Sequence, residues 1–248
     1  QMDLSGKPIK RCRVTREDKY RFRGKRVDEY PMPDLNPHMK LHREMVPPVV
    51  VAEDAPSFKG SWGKAFPESD LPLHVEIGPG NGFYLAGMAD RHSDCNWLGI
   101  EIRFKRVVMV AKKINAIGAS NARIARYDAW QLNDLFEAGE ISGLHINHPD
   151  PWKREINAKH RLIRKELVEW AAQALKVGAE IRLKSDHRPN LQRFVDAADG
   201  LPISLVDFRD DISVAGTPWP EDLVTNYQSK FDKRGEPVYA ALLRRDDD

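Results

Sequence analysis

The chain reads as an α/β protein built on a doubly wound, mostly parallel sheet, and three features of its 248 residues point there. From Leu73 onward, short apolar runs alternate with amphipathic stretches, the pattern that lays helices on both faces of a parallel sheet. The first run ends in a glycine-rich turn, E-I-G-P-G-N-G from Glu76 to Gly82, which opens onto a helical stretch. Acids then stand at the carboxyl ends of successive strand candidates, the edge at which such sheets bind ligands.

Taken in order, residues 1–70 are rich in proline and charge and show little periodicity. The stretches Y-P-M-P-D-L-N-P (30–37) and V-P-P (46–48) resist helix, because proline lacks a donor and restricts the residue before it. This segment is read as a basic, Pro-rich N-terminal arm that wraps or reaches, leaving 71–248 as the domain proper. Seven strands are expected at 74–78, 97–101, 122–127, 144–148, 180–185, 203–208 and 238–243. Helices are expected at 81–90, 103–117, 130–138, 160–176 and 189–199. The second is the clearest, with Phe104, Val107, Val108, Ala111, Ile114 and Ile117 on one face and Gly118 just past its end.

Composition narrows the classes. Hydrophobic residues make up 41% and charged residues 31%, which fits a globular protein with a sizeable core. No apolar run approaches the roughly 18–20 residues that span a bilayer, so no membrane partner is expected. Cys12 and Cys95 lie far apart and form neither a disulfide framework nor a zinc cluster, so a reducing cytoplasm is expected and a metal is not. Residues 7–26 hold ten Lys/Arg against Glu17 and Asp18, a net +8 within a chain of net +2. Interleaved with Tyr20 and Phe22, the block suits a polyanion whose bases stack on the rings, and the same composition also describes a solvated tail.

Gly78, Gly80 and Gly82 recur at every second position, where glycine tolerates positive φ and lets a ligand approach the backbone. A dinucleotide fold spaces its glycines G-x-G-x-x-G to seat a pyrophosphate. Here the third glycine comes one residue early, and Glu76 stands two residues before the first. That carboxylate repels a pyrophosphate and favours a cationic ligand end, such as the ammonium or sulfonium of S-adenosyl-L-methionine. Glu101 ends the next strand 25 residues on, where a carboxylate grips a ribose diol in doubly wound sheets. Asp128 follows the third strand and is placed to meet an adenine, with a solvated loop or helix cap as its plain alternative.

The fourth strand runs into H-P-D-P-W-K-R. Pro149 and Pro151 stiffen the turn around Asp150 and hold its carboxylate at the ligand edge. Trp152, Lys153, Arg154, Lys159 and Arg161 follow, an acid–aromatic loop joined to a basic stretch that suits a base pocket beside a phosphate track. Of the histidines, His38 and His42 have helical spacing but lack the glutamate of a zinc-protease motif. His145 is expected to pack and His148 to face the cleft. Asp186 ends the fifth strand either as a functional acid or as the cap of the helix that follows, and Ser185 and His187 beside it form no hydrolase triad.

The motifs E-I-G-P-G-N-G, L-G-I-E, H-P-D-P-W-K and T-N-Y-Q-S-K-F, in order and spacing over roughly residues 73–245, resemble the tRNA (guanine-N7)-methyltransferases. The resemblance implies a seven-stranded class I methyltransferase sheet with an antiparallel last strand. It also implies S-adenosyl-L-methionine as cofactor and methyl transfer to N7 of a guanine in the variable loop of tRNA, by a monomer or weak homodimer. It assigns Glu76, Glu101 and Asp128 to the cofactor, Asp150 to catalysis, and Arg154, Asp186, Thr225, Tyr227 and Gln228 to the substrate. The chain departs from the family pattern at His148, where an aromatic residue is usual, and at Ile156 and Asn157, where an Arg-His pair is usual. It departs again at Gln228, where the late motif carries an acid. A methyltransferase for another RNA position, or a non-catalytic RNA binder on the same fold, are the alternative readings.

Overall fold

The computed structural model describes residues 37–247, so the basic block at 7–26 lies outside the described residues. The elements are α1 (Pro37–Glu44), β1 (Val49–Val50), β2 (Leu73–Ile77), α2 (Phe83–Arg91), β3 (Asn96–Glu101), α3 (Phe104–Ile117), β4 (Ala122–Arg126) and β5 (Ile141–Asn147). They continue with α4 (Lys165–Ala174), β6 (Leu175–Ser185), α5 (Arg188–Ala197), β7 (Ile203–Arg209), α6 (Ile212–Ala215), α7 (Gln228–Asp232) and β8 (Tyr239–Arg245). One eight-stranded sheet takes the order β1-β4-β3-β2-β5-β6-β8-β7. Its first six strands pair in parallel, and β8 runs antiparallel between β6 and β7.

This topology fixes where a ligand can sit. The chain leaves β2 toward β3 and β4 on one side, then returns to lay β5 along the other side of β2. Loops after β2 and β5 therefore diverge and leave a crevice at the carboxyl ends of the strands. The central strands β2, β3 and β4 are buried on both faces, as parallel strands under two helical layers must be.

Three elements differ from the sequence expectation, each for a physical reason. The sheet has eight strands rather than seven, because Val49 and Val50 pair with Ile124 and Ala125 of β4. Two residues behind a pair of prolines are too short to show a period. The stretch 130–138 is not a helix but a 3-10 turn at Leu132–Asp134. Its apolar residues still reach the core, yet the Leu135 carbonyl accepts from Trp62 Nε1 at 2.7 Å instead of serving a helical ladder. The helix expected at 160–176 is shortened to α4, and β6 starts directly at Leu175.

Residues 37–66 do not reach away from the sheet. Met39, Val49, Val50, Ala55, Trp62 and Phe66 are all buried. Trp62 is 1% exposed and lies between the rings of Phe58 and Phe136, with centroids at 5.4 and 5.8 Å. We predict that Trp62→Ala lowers stability by about 3–5 kcal/mol, the range for deleting a buried aromatic side chain. Urea denaturation checks this, and an unchanged midpoint would show that the segment hangs free of the domain.

Candidate active site at the strand ends

The crevice is a cleft of about 380 Å³, the size of a small-molecule site. Of the residues singled out in the sequence, Glu76, Gly78, Gly80, Glu101, Asp128, Asp150, Trp152, Thr225 and Tyr227 line it. Glu76, the penultimate residue of β2, is 1% exposed. Its Oε1 accepts from Asn147 Nδ2 at 2.9 Å, and its Oε2 is buried with no hydrogen-bond partner. Burial pushes its pKa up to about 7, against the Asn147 hydrogen bond, the charge of Lys184 and the backbone N–H of Leu85 in the first turn of α2. Glu101 at the end of β3 is also raised by burial, opposed by the Arg103 backbone N–H that donates to its Oε1 at 2.9 Å. Asp128 is buried, and its Oδ1 accepts from the backbone N–H of Trp130 at 3.0 Å.

The glycines divide the work. Gly78 takes φ +73°, and a Cβ there would meet nothing within 4 Å, so the turn leaves open space above its backbone. Gly82, expected at the ligand, is instead a packing position. It sits in the left-handed region at the start of α2, and a Cβ would approach Val110 Cα of α3 to 2.9 Å. The third glycine thus lets α2 and α3 close together, and it does not line the cleft.

The acid loop is more constrained than its prolines imply. His148 and Trp152, one at either side of Pro149-Asp150-Pro151, hold φ of 49° and 40°. Non-glycine residues there cost of order 1–3 kcal/mol each and persist only where the surroundings enforce them. The enforcing contacts are visible: Asn190 Nδ2 donates to the Pro149 carbonyl at 3.1 Å, and Arg161 Nη2 to the Trp152 carbonyl at 3.2 Å. The His148 ring packs on Tyr227 and Phe231 with centroids at 5.4 and 5.9 Å. Asp150 itself points outward, its side chain 68% exposed and 3.9 Å from Arg103.

Several expected substrate contacts lie off the cleft wall. Arg161 braces the loop and pairs with Glu155 at 2.5 Å. Gln228 is 5% exposed, and its Oε1 faces Lys184 Nζ at 3.4 Å. Asp186 lies 3.6 Å from His148 Nδ1, and the cap position of α5 belongs to His187, so Asp186 is no helix cap. Lys153 and Arg154 are exposed on the rim beyond the lining residues. His145 is buried, hydrogen bonded to Tyr84 and His74 at 3.0 and 3.1 Å.

The sequence reading overlooked Asn147, Arg103, Arg106 and Lys230, all of which line the cleft. A signal was present for two of them: Arg103 and Arg106 put positive charge at a helix N-terminus, against the macrodipole preference. Asn147 has a fainter one, as a polar residue ending an apolar strand.

Residues 70–241 match a family model described as "Putative methyltransferase". The tRNA (guanine-N(7)-)-methyltransferase of Bacillus velezensis is 32% identical over 193 residues, covering 77% of this chain and 87% of that protein. Its namesake from Levilactobacillus brevis is 33% identical over 193 residues, covering 78% and 88%. The chain belongs to the tRNA (guanine-N7)-methyltransferase family. Among solved structures, the 16S rRNA methyltransferase KamB superposes with a TM-score of 0.54 at 16% identity, over 71% of this chain and 88% of that one. TrmN from Thermus thermophilus gives 0.51 at 16%, over 71% and 45%. At such identities the likeness is one of fold, the class I methyltransferase fold.

The residues present fit the family's cofactor, S-adenosyl-L-methionine. The unpartnered Glu76 Oε2 would suit a cation, the open space over Gly78 and Gly80 would admit a chain close to the backbone, and Glu101 would offer a carboxylate to a diol. A cation held there would select the ionised form of Glu76. We therefore predict that cofactor affinity rises with pH, approaching tenfold per unit below about 7, then levels as Glu76 becomes fully ionised. Titration calorimetry at several pH values checks this, with Glu76→Gln expected to weaken binding and flatten the profile. The same shift acts on the ligand-free fold in the opposite sense. Between pH 4.5 and about 7 the folded chain keeps a proton that the unfolded chain has lost, so the Glu76 contribution to stability falls across that window.

Proposed function

We propose that the chain transfers a methyl group from S-adenosyl-L-methionine to N7 of a guanine in tRNA, and that it works in the cytoplasm, where that substrate is found. The observation that carries the reading is that one cleft unites two sets of residues. Glu76, Glu101 and Asp128, which we assign to the cofactor, line it together with Asp150, Trp152, Thr225 and Tyr227, which we assign to the substrate. Its rim is cationic through Arg103, Arg106 and Lys230, with Lys153 and Arg154 exposed beyond them, which suits a phosphate backbone. Among the described residues no helix is long and apolar enough to cross a membrane.

When bound, the cofactor supplies an electrophilic methyl group on a sulfonium. Guanine N7 carries a lone pair and no proton, so attack requires no strong general base. The protein's contribution is alignment, which stiff elements supply better than mobile ones. The strained loop around Asp150 and the packed ends of β2 and β5 are such elements. Methylation leaves positive charge on the purine, and the Asp150 carboxylate stabilises it once the docked base covers that exposed side chain and excludes water. Trp152 and Tyr227 offer ring faces and a hydroxyl to the base, while the buried Thr225 hydroxyl accepts from Gln228 N at 3.0 Å and fixes the start of α7.

We predict that Asp150→Ala lowers kcat at least about 100-fold while the Kd for cofactor stays within a few-fold. Equal losses in both would place Asp150 in the cofactor site. Incubating the purified protein with bulk tRNA and methyl-labelled cofactor, then analysing nucleosides, tests the activity itself. N7-methylguanosine, mapped to one tRNA position by chain cleavage, is the expected product. Label on another base, or on protein, contradicts the assignment while sparing the fold.

A further inference from the structure

The cleft wall that carries Thr225, Asn226, Tyr227 and Lys230 comes from the chain between β7 and β8. That stretch has little backbone structure of its own, with α6 of four residues and α7 of five. Side chains must therefore fix its position, and they converge on Lys184. This residue lies near the end of β6 and is 0% exposed. Its ammonium donates to both carboxylate oxygens of Asp222 at 2.9 Å, to the Leu223 carbonyl at 3.0 Å and to Gln228 Oε1 at 3.4 Å. Trp219 Nε1 adds a donor to Asp222 at 3.2 Å.

Lys184 also reaches the other two parts of the site. Its backbone carbonyl accepts from His148 N at 2.8 Å, directly before the Asp150 loop. Its charge acts on the Glu76 carboxylate in the cofactor floor. A buried ion pair is weak support for a fold, since apolar residues of similar volume often pack there as well or better. What this pair supplies is a fixed register between parts that are distant in sequence.

We propose that Lys184 is a positioning residue whose buried pair with Asp222 registers the 225–230 wall against the Asp150 loop and the Glu76 floor. Substrate and cofactor are thereby held in line although Lys184 touches neither. The inference rests on the methyl-transfer reading above and gives the departure at position 228 a reason. With Asp222 already on the ammonium, a second carboxylate at 228 has no charge left to neutralise, and a neutral glutamine accepts the remaining hydrogen bond.

The test moves the charge. Asp222→Asn is expected to lower kcat/KM for tRNA at least about tenfold, with the Kd for S-adenosylhomocysteine within about threefold of the parent. Amide hydrogen exchange across 223–230 is expected to accelerate. Adding Gln228→Glu returns a carboxylate to Lys184 from a second point on the same segment, and D222N/Q228E should recover most of the lost kcat/KM; restored charge would also repair folding, so the retained Kd for S-adenosylhomocysteine in D222N, not this recovery, separates positioning from loss of folded protein. Unchanged kcat/KM in D222N, an equal loss of cofactor affinity, or a double variant no better than D222N overturns the proposal. If D222N does not fold, Asp222→Glu takes its place. It keeps the charge but displaces the segment by a methylene, and a variant with full tRNA activity overturns the proposal equally. Absence of tRNA methylation by the parent protein defeats the functional reading. Amide exchange needs no substrate, so unchanged exchange in the variant defeats this inference separately.

Discussion

A carboxylate taken out of water beside a glycine turn is the constraint around which the site is arranged. Glu76 is 1% exposed, and burying an ion costs several kcal/mol unless partners replace its hydration. The protein supplies part of that replacement, through Asn147 on one oxygen, the nearby charge of Lys184 and the backbone N–H of Leu85. The other oxygen is left without a partner. That oxygen lies at the switch point between β2 and β5, where the loops part and a ligand can enter. Sheet topology, glycine turn and buried carboxylate thus favour a cationic ligand end at one place.

The substrate side follows a different rule. Asp150 is exposed, and an exposed carboxylate is screened by water, so its effect depends on being covered by the substrate. Pre-organisation therefore has to come from the backbone. Two residues with positive φ, two prolines, and hydrogen bonds to the Pro149 and Trp152 carbonyls hold the loop. On the proposed function the two sites differ in character because one would bind a small cation-bearing ligand in a floor and the other would meet a macromolecule at a rim.

How much of this was legible in the sequence depends on the range of the interactions concerned. The strands β2 to β8 and the helix Phe104–Ile117 were readable, because hydrophobic periodicity and a glycine stop are local signals. That Glu76, Glu101 and Asp128 would line one cleft was readable from their places at strand ends. What escaped was set by long-range contact. Val49–Val50 became a strand only through β4, and the 130–138 stretch lost its helix to Trp62. Gly82 had the look of a ligand glycine, but Val110 claims its space. Gln228 and Arg161 carried the right chemistry for a substrate, but Lys184 in one case and the Trp152 carbonyl in the other take up that chemistry inside the protein. No spacing rule announces such partners, since each lies far along the chain or on another element.

The unpaired oxygen of Glu76 is proposed to seat the cationic end of the cofactor. A crystal structure of the chain with S-adenosylhomocysteine tests it most directly, because that product keeps the amino group while lacking the transferable methyl. The account predicts the amino nitrogen within hydrogen-bond distance of Glu76 Oε2 and the ribose hydroxyls on Glu101. An amino group held elsewhere, with Glu76 Oε2 still unpaired beneath the ligand, would contradict it.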